Sequence, residues 1–358
     1  MRPALLLGLT LTLTTALSAG LTGCSNMEAA RDQLRHKPVD IGLVSGFDAQ
    51  PIAQGLNNPS GVTFSPTGVL TVCDTGNGRV VTIENGQVRN YITGFKTEYW
   101  KDSATTKVRR FQLGPLSAVW LGTKKLAVTD GGQTDGNEGV AFFHGPGDAK
   151  KGKRTNGVTS TTDALSDQGE GNLTGLVRGP GGRSLYMCGQ GSDARTWILR
   201  CDVTDRNLWT FASTDVEEIK VNSPMQCLIS PWRTLLVLYS GTGGKPDGKI
   251  VEWDLDTGGM LRHWDLPGLV DPMSMAFIPG SRDLAVVDNN WALTHVKPGQ
   301  LARVGLPEKS GDAQVTILAK DMRGPTSCVF GPDRRLYVTE LGRQFDKNLG
   351  RVIAISGF

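Results

Sequence analysis

Four carboxylates recur at one place in a repeating chain: Asp74, Asp130, Asp288 and Glu340 each close a short apolar run. Nearby stretches add Asp135, Asn137, Glu138, Asp271, Asn289, Asn290 and Trp291. Carboxylate and amide oxygens gathered on one surface are hard ligands for a divalent cation such as calcium. They also hydrogen-bond sugar hydroxyl groups, and an indole beside them offers a face for stacking. The same residue types cap turns by accepting backbone N–H groups, a structural role that needs no ligand. The run from Asp130 to Glu138 is rich in oxygen but lacks the spacing of a known calcium loop. No Gly-x-Ser-x-Gly nucleophile elbow and no nucleotide fingerprint accompanies these residues.

Beyond Cys24, five cysteines fall in apolar runs: Cys73, Cys188, Cys201, Cys227 and Cys328. There a free cysteine behaves as a small buried apolar residue. Cys188 and Cys201 flank one hairpin, so a cross-strand disulfide between them is an expectation for an oxidising compartment. Four histidines with no close His/Cys cluster argue against a zinc site.

The elements that position these residues repeat. Six segments open alike, at Pro59, Pro115, Asn172, Pro224, Pro272 and Pro325, and each runs into a turn such as Ser65-Pro66-Thr67-Gly68 or Gly331-Pro332-Asp333-Arg334. Proline presets φ and glycine permits positive φ, which is why these residues turn the chain. A second apolar strand follows every turn, and a third opens at Gly78, Gly139, Gly248, Gly299 and Gly350, with Thr196-Trp197-Ile198 in the remaining repeat. A weaker fourth strand closes most units. Four antiparallel strands per unit of about 50 residues predict an all-β fold, a six-bladed β-propeller. The last repeat stops at Phe358 after its third strand, and an orphan strand lies at Ala49–Leu56. The expectation is that this N-terminal strand completes blade six, with Pro51 on an outer edge. Two insertions, Lys96–Gln112 and His144–Gly171, are long for structureless loops.

The first repeat, Pro59-Ser60-Gly61-Val62 through Asp74-Thr75-Gly76-Asn77-Gly78-Arg79-Val80, resembles the NHL repeat. The last repeat, from Gly324 to Val352, is similar. The wider six-bladed group of that kind contains the gluconolactonase/regucalcin enzymes and strictosidine-synthase-like proteins. That resemblance implies a single divalent cation held by carboxylate and Asn side chains where the inner strands begin. The corresponding column here holds Ser60, Leu116, Leu173, Met225, Met273 and Thr326, none of them a ligand of the required kind. Asn172 and Asp271 lie one and two places ahead of it. A quinone-dependent sugar dehydrogenase is also six-bladed, but no base is evident: His144 and His263 read as strand or hairpin residues and His295 as a loop residue.

The N-terminus adds an address. Met1-Arg2 leads into an apolar, Thr-rich stretch that ends at Leu21-Thr22-Gly23-Cys24, which resembles a bacterial lipoprotein signal. The resemblance implies a signal peptide over 1–23 and acylation of Cys24 with diacylglycerol and palmitate. A tether over 24–46 and the propeller over 47–358 would follow. Ser25 then favours the outer membrane, facing the periplasm or the cell surface.

The chain of 358 residues carries 38 Lys and Arg against 35 Asp and Glu, a net charge of +3, so no basic excess marks a nucleic-acid binder. The sequence alone therefore favours an envelope-anchored, monomeric binding or scaffolding propeller without a cofactor, facing a protein or glycan partner. The alternative is a metal-dependent, gluconolactonase-like hydrolase using the acidic residues with a cation such as calcium.

Overall fold

The computed structural model describes residues 39–100, 111–133, 137–155, 171–190, 195–215, 219–290, 298–342 and 348–358. Six antiparallel sheets of four principal strands surround a common axis. Their innermost strands are Pro59–Phe64, Pro115–Trp120, Gly171–Arg178, Pro224–Ile229, Pro272–Phe277 and Pro325–Phe330. Each of these packs against the next, and the last packs against the first. The all-β, six-bladed propeller expected from the repeats is the fold.

The turns work as their residues dictate. After the first innermost strand, Ser65 Oγ accepts the Val69 N–H at 2.9 Å, and Gly68 takes φ +82° to bring the chain back. Second strands follow at Leu70–Asp74, Lys125–Asp130, Ser184–Gln190, Leu235–Tyr239, Leu284–Asp288 and Leu336–Glu340. Four of them are buried at every position because a blade is covered on both faces. In Leu235–Tyr239, Leu235, Val237 and Tyr239 enter the seam toward blade three, while Leu236 and Leu238 enter the seam toward blade five. Alternation along the strand thus feeds two cores at once. Six apolar clusters result, one at each seam between neighbouring blades.

The ring closes through Asp48–Leu56, which pairs antiparallel with Gly350–Ser356 as the outermost strand of blade six. Thr326 Oγ1 and Thr339 Oγ1 reinforce that closure by donating to the Pro59 and Ser60 carbonyls, each at 2.7 Å. The propeller begins earlier than position 47. Gly42–Leu43 adds a fifth strand to blade five, and Asp40 forms an ion pair with Arg323.

The first insertion forms a two-stranded ribbon, Glu98–Trp100 with Phe111–Leu113. The second supplies blade two's short outermost strand, Lys153–Arg154, and lays Gly147–Asp148 parallel along the outer strand of blade one.

Candidate functional site

A cavity of about 150 Å³ opens on the axis at the end where the innermost strands begin. Every blade contributes a polar side chain to its wall, through Ser60, Ser117, Thr174, Gln226, Ser274 and Thr326. Leu113, Leu116, Met225, Met273 and Leu341 supply apolar surface between them. No charged side chain lines it among the described residues. In five blades the column read from the sequence does face this cavity. Blade three departs from it: Leu173 is fully buried in the seam with blade two, and its neighbours Asn172 and Thr174 face the cavity instead. The cause is an irregular register between the first two strands of that blade, with Asn172 at φ +54°.

Polar atoms in this wall lack protein partners among the described residues. Asn172 Oδ1, Thr174 Oγ1 and Ser240 Oγ are buried without a hydrogen bond, and Ser240 as a whole is only 2% exposed. Buried polar groups in folded proteins are almost always satisfied, so a ligand or ordered water is the natural partner for these three. All three belong to blades three and four. The cavity therefore intersperses neutral hydrogen-bonding groups with apolar surface, as suits a compact ring with hydroxyl groups and a C–H face.

The described acidic residues singled out from the sequence do not face this cavity. Asp74 is fully buried and accepts from the Asn57 N–H at 2.7 Å, from Asn77 Nδ2 at 2.9 Å and from Arg79 Nε at 2.7 Å. Asp130 accepts from Gln133 Nε2 at 3.0 Å and pairs with Arg154. Asp288 accepts the Val270 and Asp271 N–H groups at 3.1 and 2.8 Å, and Gln300 Nε2 at 2.8 Å. Glu340 accepts the Arg323 N–H at 2.8 Å and pairs with Arg351. In three blades the recipe is the same: a carboxylate at the end of the second strand ties down the segment entering the innermost strand. It also binds the first side chain of the third strand, Arg79, Gln300 or Arg351. In these three blades the repeated acid serves as a backbone clamp.

Asp271 Oδ1 accepts the Gly244 N–H at 2.9 Å, and Asn289 Nδ2 donates to the Pro325 carbonyl at 2.8 Å, linking blade five to blade six. Glu138 is buried and Asn137 exposed. Asp135, Trp291 and Cys24 lie outside the described residues, as does His295. Among the described residues no three His, Cys, Asp or Glu side chains come together to hold a metal ion.

The expected Cys188–Cys201 disulfide is corrected. Cys188 stands opposite Ile198, and Cys201 stands opposite Leu185. Strand alternation sends Cys188 into the seam with blade four and Cys201 into the seam with blade two, and both are free thiols. The neutral residues Thr174, Gln226 and Ser240 were missed from the sequence. The available signal was the repeat column itself, whose Ser and Thr members read as the loss of metal ligands rather than as a polar wall.

No protein-family model matches the sequence, and the comparison with curated proteins gives no match. Solved structures do resemble the fold. A putative oxidoreductase (glucose dehydrogenase) from Thermus thermophilus superposes with a TM-score of 0.58 at 17% identity, over 87% of this chain and 100% of that one. A gluconolactonase from Xanthomonas campestris gives 0.57 at 12% identity, over 89% and 95%. The PQQ-bound aldose sugar dehydrogenase of Streptomyces coelicolor gives 0.56 at 12% identity, over 88% and 99%. The chain thus has the six-bladed β-propeller fold that gluconolactonases and sugar dehydrogenases share.

Proposed function

We propose that the protein takes a small neutral carbohydrate or sugar lactone into the axial cavity and acts on it there, rather than serving as a docking scaffold for another protein. The carrying observation is the cavity wall. It combines uncharged hydrogen-bonding groups, three of them with buried atoms that lack partners among the described residues, with apolar surface interspersed between them. The likeness to propellers named as gluconolactonase and sugar dehydrogenases supports the same ligand class.

The metal-dependent form of this reading meets a mismatch. The described wall offers neutral oxygens only, and the nearby carboxylates are engaged in backbone clamps, so it does not fit a divalent cation held by carboxylates. An anionic quinone cofactor fares no better, since it needs cationic partners that the described wall lacks.

Calorimetric titration of the purified protein with aldoses and aldonolactones tests the reading, alongside assays of lactone hydrolysis and dye-linked sugar oxidation with and without calcium. Saturable binding of either sugar class supports it. Absence of binding to all of them, together with a protein partner captured at the same face, would overturn it. A melting temperature that calcium leaves unchanged fits the neutral wall. A calcium-dependent rise that accompanies turnover favours the hydrolase form.

Display on a bacterial envelope through a lipid on Cys24 belongs to the same proposal. Mass spectrometry of the mature N-terminus checks it, with an acylated Cys24 expected and an unmodified peptide starting elsewhere counting against it.

A further inference from the structure

The seam between blades three and four brings together two backbones and two thiols. Around the axis, side chains of one innermost strand reach the backbone of the next. Ser60 Oγ donates to the Leu116 carbonyl at 2.8 Å, and Ser117 Oγ accepts the Leu176 N–H at 3.1 Å. Gln226 Oε1 accepts the Met275 N–H, and Ser274 Oγ accepts the Cys328 N–H at 2.9 Å. Between blades three and four, as at Gly61 between blades one and two, the backbones themselves come together. Gly175 sits at φ +62°, and a Cβ there would lie 2.3 Å from Gln226 Cα. Next to this approach Cys188 and Cys227 face each other, with 3.6 Å between their sulfurs.

Two unbonded sulfurs at that distance are in van der Waals contact, and a bond of about 2.05 Å asks for an approach of about 1.5 Å. The other three cysteines of the propeller are spread over different seams: Cys73 between blades one and two, Cys201 between two and three, Cys328 between five and six. Only one described pair of thiols is therefore placed for cross-linking.

We propose that Cys188 and Cys227 close as a disulfide that staples blade three to blade four. One thiolate attacks the disulfide of an oxidant such as oxidised glutathione, forming a mixed disulfide and releasing one glutathione thiol. The second cysteine, as thiolate, attacks the protein sulfur of that mixed disulfide, forming the Sγ–Sγ bond and releasing the second glutathione. The two protein thiols lose two electrons and two protons, and the oxidant's disulfide becomes two thiols. Both cysteines are buried in the finished fold, and burial pushes the Cys188 thiol well up. Exchange accordingly takes place in the folding chain, before the seam closes over the sulfurs.

The test refolds the purified, reduced full chain with oxidised and reduced glutathione, denatures it in N-ethylmaleimide and maps the peptides by mass. The expected map shows one peptide pair linked through Cys188 and Cys227, with Cys73, Cys201 and Cys328 alkylated. The linked form should melt higher than protein refolded with reductant alone. Cys188→Ala should lose the linked pair and leave Cys227 alkylated. The same map on protein secreted into an oxidising compartment covers a refolding failure. Full alkylation of both cysteines in both preparations overturns the proposal, and so does a linkage that pairs either of them with another cysteine.

Discussion

The Asp288 carboxylate accepts the backbone N–H of Asp271, seventeen positions earlier in the chain, at 2.8 Å. That bond fixes the point where blade five enters its innermost strand, and the second oxygen of the same carboxylate holds Val270 and Gln300. Asp74 and Glu340 repeat the device in blades one and six through the Asn57 and Arg323 N–H groups. The clamped N–H groups belong to the segments that lead into these innermost strands, whose first residues, Pro59, Pro272 and Pro325, have no N–H of their own.

Asp288→Ala should therefore act on stability. It strands three buried donors, and each unsatisfied donor costs about 1–3 kcal/mol. Chemical denaturation should show a loss of about 3 kcal/mol or more. Asp288→Asn should be milder, because its Oδ1 can still accept one of the backbone N–H groups. A variant that is as stable as the parent would contradict the clamp assignment.

Much of the architecture was legible from the repeated Pro, Gly and apolar positions, since those residues fix turns whatever surrounds them. The closing strand could be read as well, because the last repeat ended one strand short and Ala49–Leu56 had no other home. The role of the acids was harder to read. Asp74 or Asp288 at a strand end has the same local sequence whether it binds a cation or a backbone N–H, and only the neighbouring segment decides. The thiol pairing failed for a similar reason. Cys188 and Cys201 share a hairpin, but their three-residue offset in register puts them on opposite faces of the blade. The strand at Gly42–Leu43 carries no repeat signature, being an addition to the edge of blade five rather than part of a repeat.

The closing strand yields a second prediction. Asp48–Leu56 buries Ala49, Ala53 and Leu56 and covers the edge of Gly350–Ser356. Removal of residues through 56 exposes that edge, which is a template for aggregation. Light scattering should show association of this truncation near its melting temperature. Among the described residues, removal through 46 takes away the short added strand, the Asp40 ion pairs and the packing of Val39, Ile41 and Leu43 on the seam of blades five and six, so that protein should stay monomeric and melt lower. Equal behaviour of the two truncations would contradict the closure.

Acid should unfold the protein partly through Glu252. Burial pushes this carboxyl up, yet hydrogen bonds from Arg262, Thr234 and Trp232 outweigh it and hold it below its ordinary value of 4.5. A carboxyl lowered in the folded state contributes stability that is present above 4.5 and is lost as pH falls through the folded value. Glu252→Gln should therefore cost about 2 kcal/mol at neutral pH and flatten the decline in stability below about pH 4.5. Denaturation curves over the acid range read both effects, and a parallel pH profile for the two proteins would remove Glu252 from the acid response.

The last prediction separates the cavity from the scaffold around it. Ser240 is almost fully buried, its hydroxyl has no partner among the described residues, and it faces the axial cavity. A buried hydroxyl that bonds nothing in the protein contributes little to folding, so Ser240→Ala should leave stability within about 0.5 kcal/mol of the parent. If that hydroxyl serves a sugar hydroxyl, the variant loses one neutral hydrogen bond to ligand. That corresponds to a binding constant weaker by about 3- to 10-fold. Thr174→Val tests the same side of the wall from blade three, keeping the side-chain volume while removing the orphaned oxygen. Calorimetry on both variants beside the parent reads affinity and stability separately. Weakened binding with unchanged melting places the ligand against blades three and four, whereas unchanged binding in both variants would move it elsewhere on the propeller.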